Sequence, residues 1–137
     1  MKTTLFHSGK HKALPSLALL LLRLVFGGAM LTHGYPKLIH FNEWGGDFMN
    51  PFGIGPEATL GLVVFSELFC AVLLIIGLGT RPAALALAFT MAVAAFYAHA
   101  GDSFADRELS VLFLAAYLVL LLLGAGTYSL DKVISKK

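Results

Sequence analysis

The chain has 137 residues, of which 58% are hydrophobic and 13% charged, against roughly 45 to 50% and about 25% in a typical soluble domain. That balance excludes an ordinary soluble fold, and the formal charge of +2 does not indicate a nucleic-acid partner, because most lysines sit at the two termini rather than on one basic face. The single cysteine, Cys70, excludes an intramolecular disulfide and any Cys-x-x-Cys relay within the chain.

A short tail carrying Lys2, Lys10 and Lys12 precedes the first apolar stretch, about residues 14–33. Its apolar core is too long for a cleaved signal peptide, Arg23 interrupts it and no Ala-x-Ala-like site follows, so the stretch is expected to stay as a helix. At 1.5 Å per residue about 20 residues cross a 30 Å hydrocarbon core. Three further stretches meet that length, at about 58–77, 82–100 and 108–126. The expected fold is all-α: an integral membrane antiparallel four-helix bundle forming one domain over residues 1–137.

Residues 34–57 form the one long connection, mixing Gly and Pro with Tyr35, Phe41, Trp44, Phe48 and Phe52. Amphipathic rings are stabilised at the headgroup level, so this segment reads as an outer interfacial loop. The link between the second and third spans is very short. It reads Leu78-Gly79-Thr80-Arg81, where Gly79 suits the end of one helix, Thr80 the cap of the next, and Pro82 a first-turn position that needs no N–H donor.

With four spans, both termini and the Arg81 turn share one side. That side holds Lys2, Lys10, Lys12, Arg81, Lys132, Lys136 and Lys137, and the other only Lys37 and Arg107. The positive-inside rule then puts both termini in the cytoplasm, in a multi-pass protein of a bacterial inner membrane.

Arg23 and Glu67 lie inside spans, where each alone costs about 2.5 to 3.5 kcal/mol on insertion scales. Counted from the inner ends of their spans their depths agree within about 2 Å, so they are expected to pair across adjacent helices. The pair reads either as a clasp fixing helix register or as the polar wall of a proton or ligand path. Tyr117, at similar depth, is expected to bond into it. Cys70, one turn from Glu67, reads as a small buried residue. Near the outer face, His33, His99 and Glu108 share a level. They read first as ordinary interfacial side chains with no site, and next as a group that could pass protons to a quinone headgroup or ligate a transition metal; a haem held by His33 and His99 is a more remote alternative. Arg23, Gly27, Met30 and Gly34 fall on one helical face, where glycine leaves room for a partner side chain or ligand.

The stretches LLLRLVFGGAMLTHGYPKL, FSELFCAVLLIIGLGTRPAALAL and GAGTYSLD together resemble the DoxX family of small bacterial membrane proteins, over about residues 17–131. Arg23, Gly34 and Lys37 match its first-span pattern, Glu67 its second, and Gly77, Thr80 and Arg81 its turn. The resemblance implies a four-helix inner-membrane protein, with some relatives associated with quinone-linked sulfur oxidation or with oxidoreductase complexes that handle oxidative stress, and many without an assigned reaction. The expected function is therefore a small membrane subunit working with a redox partner protein and binding a quinone-like carrier through Arg23, Glu67 and Tyr117, with His33, His99 and Glu108 toward the outer face. No flavin, nucleotide or iron-sulfur motif is present, so electrons must come from a partner or a bound cofactor, and catalysis by the chain alone is not expected. The alternatives are a non-enzymatic scaffold or assembly factor and a small-solute or metal transporter, the last needing a homo-oligomer to widen its path.

Overall fold

The computed structural model describes residues 13–136; the N-terminal lysines at 2, 10 and 12 and the terminal Lys137 lie outside them. The described residues are all-helical. The elements are α1 (Ala13–Ile39), a short α2 (Phe41–Trp44) running into a 3-10 turn (Gly45–Asp47), α3 (Pro56–Ile76), α4 (Thr80–Ala98), α5 (Phe104–Leu123) and a short α6 (Leu130–Ile134). Of these, α1, α3 and α4 are both long and apolar enough to cross a membrane. α5 has 20 residues, but Asp106, Arg107 and Glu108 occupy its start, and its apolar run begins at Leu109.

α1 buries Ser16, Leu19, Arg23, Gly27, Met30 and Gly34. Their alternating spacing of three and four is the stripe of a helix that packs along one face. The helix runs on to Ile39 rather than ending near residue 33, because Pro36 falls where its missing N–H costs one bond and the Pro36 carbonyl still accepts from His40 N at 3.0 Å. The connection to α3 is correspondingly shorter than expected.

Small residues let the helices approach. A methyl group added at Gly27 would stand 2.6 Å from Ile75 Cγ1, and one at Gly34 2.9 Å from Glu67 Cβ and from Leu68, so α1 and α3 pack almost backbone to backbone at these levels. Ala71, Ala83, Ala84, Ala88 and Ala116 do the same around Leu74, Leu87, Met91, Phe113, Tyr117 and Leu120. Outside this core the surface is apolar. Val25, Phe65, Phe69, Leu85, Phe89, Leu122 and Leu123 are exposed, a covering that water would not tolerate and that lipid satisfies.

Two stretches widen to π-helical turns, Phe65–Cys70 in α3 and Ala94–Ala98 at the end of α4. The buried stripe of α3 runs from Thr59 and Leu60 to Ser66, Glu67 and Cys70, so Glu67 lies inward within the first of these turns. Such bulges recur at functional sites.

Candidate functional site

The charges within the helices are satisfied at two separate levels. Arg23 is 1% exposed and donates to four main-chain carbonyls: Nε to Leu74 at 2.8 Å, Nη1 to Ala125 at 2.9 Å and Tyr128 at 2.8 Å, and Nη2 to Ile75 at 2.9 Å. These belong to the last turn of α3 and to the segment after α5. Glu67 instead meets Lys37, with Nζ to Oε2 at 2.7 Å. The expected Arg23–Glu67 pair does not form. The inner ends of the two helices are not level: Gly34 of α1, not Arg23, stands against Glu67, while Arg23 reaches Gly77 where α3 stops, and because helical side chains lean toward their own N-termini the two charged groups also lean apart. Tyr117 does not bond into a pair either; it is fully buried and its hydroxyl donates to the Phe26 carbonyl at 3.0 Å.

Around Arg23 the chain closes a knot at the end where α3 stops. Gly77 adopts the left-handed conformation (φ 71°), and a Cβ there would stand 2.6 Å from Arg23 Nη2. Glycine is therefore needed twice, for the dihedral and for the space. Asp131 from α6 accepts from Gly79 N at 2.7 Å and from Thr80 N at 2.9 Å, while its own N–H donates to the Gly77 carbonyl at 2.8 Å. The N-terminus of α4 is thus capped by a residue 51 positions away and not by the Thr80 side chain. Thr80 Oγ1 is buried and has no hydrogen-bond partner among the described residues. Arg81 lies at the exposed edge, 3.3 Å from the Leu122 carbonyl. Burial acts against ionisation of Asp131, but the backbone N–H groups of Thr80 and Gly79, with Arg23 nearby, hold its carboxyl below the usual range.

At the opposite end, beneath the 40–55 connection, lies a cavity of about 280 Å³, close to the lower limit of the roughly 300–1,000 Å³ of small-molecule sites. Its polar lining comes from Lys37, Glu67, His33, His99, Asp106, Thr90 and Ser110, and its apolar walls include Met30, Met91 and Phe113. The Glu67 side chain is 4% exposed and that of Lys37 23%, so the ion pair forms the inner wall. His33 stacks edge-on against Phe113 at 5.7 Å, and His99 Nδ1 stands 2.8 Å from Asp102. His33 and His99 therefore share a cavity. Glu108 does not join them; Asp106, half a helical turn earlier and itself exposed, stands at the cavity edge instead. Among the described residues no group of three His, Cys, Asp or Glu side chains is placed to hold a metal ion, which removes His33, His99 and Glu108 as a ligand set.

Of the other positions in the motif stretches, Lys37 is the charge partner of Glu67 and Gly34 is the gap that lets α1 reach it. Sequence reasoning missed Asp106, Thr90, Ser110 and the loop residues Phe48 and Met49. The acidic start of α5 was visible, but which of its carboxylates turns inward depends on where the helix begins.

The DoxX family profile matches residues 18–100, well over half of the chain and the part that contains Arg23, Gly34, Lys37, Glu67 and Gly77. The chain belongs to the DoxX family. This DoxX protein is also 32% identical over 125 residues to an uncharacterized protein of Haemophilus influenzae, a match covering 85% of the present chain and 90% of the relative. No solved structure matches it. With its apolar helices, the DoxX chain is a multi-pass membrane protein.

Proposed function

We propose that the cavity at the loop end binds the polar ring of a lipophilic electron carrier, a quinone, and that the chain is a small subunit of a redox-linked complex in a bacterial inner membrane. In this reading α5 is the fourth span of an antiparallel four-helix bundle, and both termini are cytoplasmic. The observation that carries the reading is the Lys37–Glu67 pair facing a cavity that also holds His33, His99 and Asp106 between apolar walls.

Reduction of a quinone to a quinol takes two electrons and two protons, one proton to each carbonyl oxygen. Lys37 and a protonated histidine are donors suited to those oxygens, and His99 beside Asp102 is a route by which a proton from the outer face can be replaced. The electrons must come from a partner redox protein, since the chain carries no motif for a redox group.

Binding of a short-chain quinone to purified, folded protein tests the reading. Wild type should bind, and Lys37→Met and Glu67→Gln should each weaken binding at least tenfold. Absence of binding by wild type would reject the carrier site and favour the scaffold alternative.

A further inference from the structure

A second hollow adjoins the polar cavity. It is an apolar groove of about 280 Å³ between α3 and α4, roofed by Pro51, Phe52 and Ile54 of the connecting loop. The two spaces share the walls Met49, Val63 and Thr90. Where the cavity is polar, the groove is hydrocarbon, walled by Leu62, Phe65, Phe89 and Val93. Its hydroxyl groups are turned to internal bonds: Thr59 Oγ1 donates to the Gly55 carbonyl at 2.8 Å, and Thr90 Oγ1 bonds Ser66 Oγ at 2.9 Å. Leu62, Phe65 and Phe89 are each more than half exposed, so the groove opens toward lipid rather than toward water.

We propose that the groove holds the hydrocarbon tail of the carrier whose ring occupies the polar cavity. The inference rests on the ring site proposed above and defines its ligand further, as a single-tailed carrier entering sideways from the bilayer between α3 and α4. Three features support one tail on this side. The groove adjoins the ring cavity across the shared side chains of Met49, Val63 and Thr90. The α1–α3 seam is shut where Gly34 meets Glu67 and Leu68. The α1–α5 side is closed by the edge-to-face rings of Phe26, Phe113 and His33. A tail leaving hydrocarbon lipid for a hydrocarbon groove gains little transfer free energy. The groove therefore sets the direction of the tail, and with it which edge of the ring meets Lys37 and Glu67, more than it sets affinity.

The test is a pair of photoreactive probes applied to the full chain in phospholipid vesicles, with adducts located by mass spectrometry. One is a short-chain quinone carrying an azide on the ring, the other a decyl quinone carrying a diazirine within the first carbons of the tail. The ring probe should label cavity residues such as Met30 and Met91, and the tail probe Leu62, Phe65 or Phe89. Excess unlabelled decyl quinone should remove both labels. Ala86→Phe, which narrows the groove without touching the cavity lining, should lower tail labelling about tenfold relative to ring labelling. Absence of ring labelling would overturn the ring site itself. Ring labelling in the cavity combined with tail labelling on α1 or α5, or with groove labelling that unlabelled quinone does not displace, would overturn the tail groove and leave it an ordinary lipid-facing surface.

Discussion

An arginine buried among apolar helices is tolerated when its N–H groups find acceptors whose own bonds are otherwise missing. Arg23 meets this condition because the last carbonyls of a helix lack intrahelical partners. Ile75 supplies such a group, the Leu74 carbonyl accepts from Arg23 as well as from Gly77 N at 3.2 Å, and the chain after α5 supplies two more acceptors. One charged side chain thereby holds three separate parts of the chain. Arg23→Leu should strand these carbonyls and lower stability by about 3 kcal/mol, in the range seen when a buried charged network loses one member. Arg23→Lys should recover less than half of that loss, since a compact ammonium cannot span the positions that a planar guanidinium reaches. Thermal unfolding in mild detergent measures both. Equal stability of Arg23→Leu and wild type would show that the knot contributes nothing.

The elements begin and end where local chemistry and distant partners agree. Gly77 and Gly79 turn the chain through left-handed dihedrals, and α4 starts with its free N–H groups aimed at Asp131, a carboxylate at the positive end of a helix dipole. Because the folded-state pKa of Asp131 is lowered, its contribution is fully present above the unfolded value of roughly 3.9. It is lost as the pH falls through the lower folded value. Asp131→Asn should cost about 1 kcal/mol near neutral pH, as loss of a cap does. The gap in melting temperature between the two proteins should stay constant above about pH 5 and close as the pH drops below about 4. A gap that is the same at pH 3 and pH 7 would mean that Asp131 does not act through its charge.

At the scale of the molecule, the helices are held together by small residues on their inner faces and present large apolar side chains outward, the arrangement that lipid permits and water does not. The Arg23 knot and the Lys37–Glu67 cavity lie at opposite ends, one joining helix termini to the C-terminal segment and the other facing the interfacial loop. In the proposed orientation a reporter fused after residue 137 should be active in the cytoplasm and one inserted near Asp47 only outside it. Cytoplasmic activity at Asp47 would invert the assignment and turn the cavity toward the cytoplasm.

The sequence by itself determined that the chain is helical and membrane-embedded, because the length and apolarity of its segments follow directly from composition. It also led to the expectation of His33, His99 and Glu108 at one level, and the structure puts the two histidines, without Glu108, on the lining of one cavity. What only the tertiary structure decided is which groups meet. Positions along a helix give the height of a Cα atom but neither the direction in which a long side chain leans nor the face on which it emerges. Nor do they fix how far one helix slides along another: the expected span ends put Arg23 and Glu67 at one height, but α1 runs on to Ile39 and Gly34 stands against Glu67, so Lys37 became its partner. Glu108 and Asp106 differ by two positions, enough on a helix of 3.6 residues per turn to turn one away and leave the other, though exposed, on the edge of the cavity. Asp131 caps a helix that starts 51 residues earlier, a bond that no local pattern announces because it exists only once the segment after α5 has folded back over Arg23.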